Sequence, residues 1–218
     1  WFEPDTSSSG FAADRGNAVH PLLGNQVPSA LKTRLFESRL TERTPNYLKD
    51  HVVQGSVVVP GAAYLEMALS AAEQAFGEGR HVVEDFSIQQ PLFLAPGTPR
   101  MAQTSVSAES GGEVTVETYS ALPDAEKIEW TMHSCGRVRH EDTAGDSDAP
   151  VIDVRELAQN PIGVFSREDI YAMIAERGLV YGPMFQVLGT VHRSNDSALA
   201  DVELPEATAK QLGDYHLH

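Results

Sequence analysis

At 218 residues with 41% hydrophobic side chains, the chain can bury a substantial core yet is shorter than two comfortable domains. Sixteen Lys and Arg against 31 Asp and Glu leave a formal net charge of −15, which disfavours nucleic acid and anionic membrane surfaces as partners. A single cysteine, Cys135, excludes an internal disulfide and a Cys-rich zinc site.

No apolar stretch approaches the ~20 residues that span a bilayer. The polar N-terminus, Thr6-Ser7-Ser8-Ser9-Gly10, lacks the regions of a signal peptide, so cytoplasmic residence is the default expectation. Residues 1–19 read as an irregular lead-in. The ordered body starts at Val19-His20-Pro21-Leu22-Leu23, with His20 before a proline as a turn residue. Segments 34–40, 51–59, 82–87, 91–94, 101–107, 113–120 and 127–138 are short and β-branched or alternating. Turns such as Pro96-Gly97-Thr98-Pro99 and Ser110-Gly111-Gly112 separate them, and the pattern predicts antiparallel strands. Among them, residues 62–76 carry Leu65, Ala68, Leu69, Ala72 and Phe76 at helical spacing and stop before Gly77 and Gly79. One helix wrapped by a curved antiparallel sheet is an α+β layer arrangement.

The acidic, small-residue stretch from Glu141 to Pro150 reads as a solvated linker, and the domain boundary is expected there. Ser166 to Asp169 resembles a capping box one position removed from ideal, opening a helix to about Arg177. Strands around 185–193 and 197–203 follow.

Chemistry concentrates in His51-Val52-Val53-Gln54-Gly55-Ser56-Val57-Val58-Val59-Pro60, which runs directly into Gly61-Ala62-Ala63-Tyr64. His51 opens a run of strand character, Gly55 permits a bulge or close backbone approach, and Pro60-Gly61 ends the strand and begins a helix. A base beside unpaired helix amides suits proton abstraction next to a carbonyl. Imidazole titrates near neutral pH, and the amides accept the negative charge that develops on oxygen. Asp50 and His51, as strand neighbours, point to opposite faces and form no dyad. Taken alone, a histidine at a strand start is usually structural, Pro60 is a helix-start proline, and Gly182-Pro183 is a plain turn. His216 and His218 could share a strand face as metal ligands, but a third ligand is missing and no metal is expected.

The spacing His-x3-Gly-x4-Pro, preceded by Tyr47-Leu48-Lys49-Asp50 and followed by Ala63-Tyr64-Leu65-Glu66-Met67-Ala68, closely resembles the dehydratase domains of modular type I polyketide synthases. The resemblance runs from Trp1-Phe2-Glu3, which looks like the junction after an acyltransferase linker, to Tyr181-Gly182-Pro183-Met184-Phe185 and His216-Leu217-His218. It implies a double hot-dog fold. Residues 20–140 would be the N-terminal hot-dog, 141–160 the linker, and 161–218 the start of a C-terminal hot-dog that reads as truncated.

The implied reaction is elimination of water from a 3-hydroxyacyl thioester on the phosphopantetheine of an acyl carrier protein, giving a trans-2-enoyl thioester. His51 matches the family's base, and the acid is an aspartate on the second central helix. His218 resembles the histidine opening that aspartate's motif, so the acid is expected beyond the last residue, and neither Asp201 nor Asp214 is promoted to its place. Substrate contact falls to Gly55, Pro60, Gly61, Tyr181, Gly182 and Pro183, while Leu179 departs from the aromatic often found before the second motif. Phe185 is read as core, and Met184 as facing solvent or the substrate tunnel. No metal or organic cofactor is implied.

The implied partners are the carrier protein, neighbouring synthase domains and a second copy of the chain. Because carrier proteins are themselves usually acidic, docking needs local cations, with Lys32, Arg34 and Arg100 as unranked candidates. Enoyl isomerisation, pyran-forming cyclisation and a catalytically silent structural module remain alternatives, and retention of Pro60 favours dehydration.

Overall fold

The computed structural model describes residues 18–141, 154 and 161–217. Residues 1–17 of the expected lead-in, most of the expected linker, and His218 lie outside the described residues. In chain order the first half comprises β1 (Asn25–Val27), β2 (Arg34–Leu40), β3 (His51–Val53), β4 (Ser56–Val57), α1 (Gly61–Phe76), β5 (Arg80–Ile88), β6 (Arg100–Val106), β7 (Glu113–Ala121) and β8 (Thr131–Glu141). The second half follows with β9 (Gly163–Phe165), α2 (Arg167–Glu176), β10 (Leu179–Tyr181), β11 (Leu188–Arg193), β12 (Ala198–Val202) and the short α3 (Glu206–Ala209).

Alternation builds the principal sheet. In β6, Ala102, Thr104 and Val106 are buried, and in β7 the same holds for Val114, Val116, Thr118 and Ser120, so every second side chain turns inward. Six antiparallel strands result, in the order β1-β2-β6-β7-β8-β5, and α1 packs against β5 to β8. This is the hot-dog arrangement expected from the resemblance.

The buried face of α1 is broader than its leucine spacing predicts. Ala63, Tyr64, Met67, Ala68, Ala71 and Ala72 are buried, together with Glu66 and Ser70, while Leu65, Leu69 and Phe76 are only half-buried. Small alanines bring the helix close to the sheet, and Leu22, Leu23, Leu92 and Leu94 from flanking loops close the same core. Each such fully buried large side chain contributes about 1.5–3 kcal/mol.

The strand expected over 51–59 is instead a hairpin. Gln54 and Gly55 both have positive φ, 49° and 79°, which fits a two-residue primed turn, so Gly55 is a turn residue and not a bulge. Segment 91–94 is no strand either. Pro91 has no N–H for a ladder, leaving the single bridge Val58↔Phe93 flanked by bonds from Val59 N to Leu92 O and from Leu94 N to Val57 O. Strand β8 starts at Thr131, four residues later than expected.

In the second half, Ser166 caps α2 with Asp169 at the third helical position. Their reciprocal bonds, Asp169 N to Ser166 Oγ at 3.2 Å and Ser166 N to Asp169 Oδ2 at 3.0 Å, make a capping box in register. Strands β9, β11 and β12 form a three-stranded sheet, whereas β10 leaves it and pairs with β3. The second half thereby reaches into the first beside His51.

Candidate active site

His51 is the first residue of β3, and the turn at Gln54-Gly55 folds the chain back so that Val58 lies opposite it. Its Nδ1 is 2.8 Å from Val58 O. A carbonyl only accepts, so Nδ1 carries the proton and Nε2 keeps its lone pair. Tyr181 is the register partner of His51, and their rings stack at 5.4 Å and 25°. Phe185 closes the other side with its ring centroid 5.3 Å away.

A cavity of about 260 Å³ opens beside this imidazole. Its walls include His51, Val58, Val59, Gly61, Tyr64 and Gln90. Pro60 is buried at the N-cap of α1 with φ −62°, and no side chain caps the helix start or places an acid in its first turn. Among the described residues, the positive end of this 16-residue helix therefore meets the cavity with no carboxylate in the helix's first turn or in the cavity wall. Half-buried base, free lone pair and helix terminus together suit removal of a proton from carbon next to a carbonyl.

The structure divides the residues expected to contact substrate. His51 and Gly61 line the cavity, whereas Tyr181 is not in its wall and stacks on His51. Gly55 is exposed at the hairpin tip, so the helix start near Gly61, and not Gly55, can offer amides to a developing oxyanion. Pro60 and Gly55 shape the backbone on either side. Gly182 and the exposed Pro183 belong to a loop anchored by Asp50. Gly182 N donates to Asp50 O at 2.7 Å, and Met184 N donates to Asp50 Oδ2 at 3.0 Å. A Cβ on Gly182 would lie 2.4 Å from Asp50 Cγ, which is why this position is glycine.

Asp50 is thus a buried brace for the loop beside His51, a role that sequence reading missed along with the Val58 carbonyl. Phe185 packs on the core as read, and its ring also lies against that of His51. Met184 is half-buried: it packs against the core, and its Sδ accepts from Thr208 Oγ1 at 3.6 Å. His20 opens a turn as read, its carbonyl accepting from Gly24 N at 2.9 Å, and its side chain is buried, with Nε2 3.0 Å from Glu66 Oε1. Glu66 also accepts from Ser70 Oγ and the His216 and Leu217 amides. Burial alone would raise its pKa, but the bonds from His20, His216, Leu217 and Ser70 prevail and hold it below the usual carboxylate range.

A larger cavity, about 570 Å³, lies along the C-terminal half of α1 between His20, Glu73, Tyr215 and His216, and does not include His51. His216 Nε2 sits 3.1 Å from Glu73 Oε2. Of the candidate docking cations, Arg34 donates to Gln74 O at the end of α1 and Arg100 to Ser120 Oγ, so both serve the fold.

Fold and site define a hot-dog domain with a histidine side chain in a cavity at a helix N-terminus. Residues 20–121 match the family described as "Polyketide synthase dehydratase domain", and residues 153–218 match "Polyketide synthase dehydratase N-terminal domain". The pikromycin polyketide synthase component PikAII of Streptomyces venezuelae is 35% identical over 98% of this chain. Erythronolide synthase EryA2 of Saccharopolyspora erythraea is 31% identical over 94%. The chain spans 6% of the length of each of these two relatives.

Among solved structures, the dehydratase domain from the CurF module of curacin polyketide synthase superposes with a TM-score of 0.83 at 30% identity, covering 91% of this chain and 71% of that one. Two structures of the CurK dehydratase, at TM-scores 0.82 and 0.81 and identities of 29% and 27%, are of inactive mutants. One replaces an aspartate by asparagine and the other a histidine by phenylalanine; each covers 91% of this chain and 70% or 69% of its own. The chain belongs to the dehydratase domains of polyketide synthases.

Proposed function

We propose that the domain eliminates water from a 3-hydroxyacyl thioester carried on the phosphopantetheine of an acyl carrier protein. The observation that carries this reading is the bond from His51 Nδ1–H to Val58 O, which leaves Nε2 as a base at a cavity ended by the start of α1. Nε2 takes the α-proton, and the electron pair of that C–H bond passes through an enolate-like state stabilised by amides near Gly61. As the pair forms the Cα–Cβ double bond, the C3–O bond breaks. A carboxylic acid protonates the departing hydroxyl, and the products are water and a trans-2-enoyl thioester.

Among the described residues the cavity lining contains no carboxyl, and Asp50 is committed to the 182–184 loop. The family resemblance assigns the acid to an aspartate of the second central helix. The inactive aspartate and histidine mutants of the CurK dehydratase support a two-residue mechanism of this kind. Proton transfers alone complete the reaction, so the domain needs no cofactor of its own.

The carrier protein and neighbouring synthase domains are the expected partners. Strands β1 and β5 end the sheet within this chain, leaving edges at which a second copy can pair. Among the described residues no helix is long and apolar enough to cross a membrane, and we infer a cytoplasmic setting.

Mass spectrometric detection of water loss from a 3-hydroxyacyl carrier-protein substrate, using the synthase module that contains this domain, tests the proposal. Wild type is expected to form the enoyl product, and His51→Ala to lose about 10²–10⁴-fold in rate. An isomerised or cyclised product instead would replace dehydration by one of the sister activities.

A further inference from the structure

The pairing of β7 with β8 slips by one residue. Thr118 faces Ser134, but Tyr119 faces Met132, so His133 has no register partner. The slip breaks the alternation of β8, where His133 and Ser134 are buried in succession. Such a bulge re-aims a side chain. Here it helps turn the imidazole to the inner face, parallel to the ring of Tyr64 at 6.3 Å and 15°.

Both ring nitrogens of His133 are engaged. Nδ1 is 3.0 Å from Gln90 O and must donate, and Nε2 therefore accepts from Ser120 Oγ at 2.8 Å. Ser120 Oγ in turn accepts from Arg100 Nη2 at 3.1 Å. Burial lowers the pKa of His133, with Arg100 acting in the same direction, and the neutral ring is the form this chain of bonds requires.

The bonds run toward the base. His133 O also accepts from Gln89 N at 2.7 Å, so His133 grips two consecutive residues of the cavity wall. The same segment continues to Leu92 and Leu94, which bond Val59 N and Val57 O on either side of Val58. Val58 O is the acceptor that fixes His51.

We propose that His133 is a positioning residue for the reaction: from its bulge in β8 it locks the 89–94 wall, and through it the Val58 carbonyl, so that His51 and the substrate stay in register. This inference rests on the reading of His51 as the base.

Three variants test it. His133→Phe keeps a ring against Tyr64 but removes both hydrogen bonds. His133→Asn places an amide nitrogen where Nδ1 stood. Ser120→Ala removes the donor to Nε2 and serves where His133→Phe does not fold. On the carrier-bound substrate, His133→Phe is expected to lower kcat about 10-fold or more, with KM changed less than about threefold, because a small misplacement of reacting groups is felt mainly in the chemical step. His133→Asn restores most of kcat, and Ser120→Ala falls between.

The second readout is the His51 Nδ1–H resonance, which does not depend on turnover. Its exchange with water accelerates in His133→Phe and returns toward wild type in His133→Asn. Turnover by His133→Phe within about twofold of an active wild type, or His133→Asn no better than His133→Phe, overturns the proposal. Should wild type eliminate no water, the dehydratase reading fails and the resonance decides alone: faster exchange in His133→Phe supports the wall lock, and equal exchange in all variants overturns it.

Discussion

The helices α1 and α2 are stabilised by opposite means. Eight of the 16 residues of α1 are buried, and its start has no side-chain cap. Of the ten residues of α2 none is buried, and a complete capping box closes its start. Packing carries α1, which leaves its first amides available to the cavity. Local hydrogen bonds carry α2, which works as a strut: Tyr171 accepts from Leu188 N and donates to Phe185 O, each at 3.0 Å, and Arg167 donates to Gln186 O. That strut sets the chain from Phe185 to Leu188 against the base. A helix held by tertiary contacts can spare its end for chemistry, while one held by its own cap braces a neighbour.

The contrast can be broken at α1 with the largest effect. Met67→Ala, at a fully buried position, is expected to cost about 2–5 kcal/mol in denaturant unfolding, because the void cannot close against the sheet. Next is the brace between the halves. Asp50→Ala strips Met184 N of its acceptor and should cost about 1–3 kcal/mol. Because the clash of an alanine at position 182 is with that same carboxylate, Gly182→Ala should be partly rescued in the Asp50→Ala background, a coupling read from the double-mutant cycle. For α2, Ser166→Ala should cost about 1 kcal/mol, and the loss should appear as faster amide exchange in the first turn of α2 before any global unfolding.

The smallest effect at neutral pH concerns the charge inside α1. The pKa of Glu66 is lowered on folding from its ordinary 4.5, so its contribution is fully present above that value and is lost as pH falls through the folded value. Acid titration of unfolding should therefore show a shallower low-pH decline for Glu66→Gln than for wild type.

What the sequence disclosed follows from which contacts are local. Period-two burial in β6 and β7, the alanine-rich helix and the Ser166 cap all leave a signature within a few residues, and each was legible. The helix start after the His51 motif was legible from Pro60 and Gly61. The tautomer of His51 was not, because it depends on a primed turn that brings Val58 opposite. Strands β9 and β10 are three residues each, too short for any pattern, and β10 is a strand because β3 accepts it. Asp50 meets Met184 across 134 residues, and no local feature announces that the aspartate beside a histidine faces a distant loop. His133 reads as one more residue of an alternating strand, since a register slip is invisible until both strands are paired.

The most direct test of the central claim is deuterium incorporation at the α-carbon during equilibration of a carrier-bound trans-2-enoyl thioester with D2O, because hydration, the reverse of the proposed elimination, delivers that hydrogen from the base. The account predicts incorporation by the wild-type module and a loss of about 10²–10⁴-fold in rate for His51→Ala with its fold intact. Incorporation at the wild-type rate by His51→Ala would contradict it.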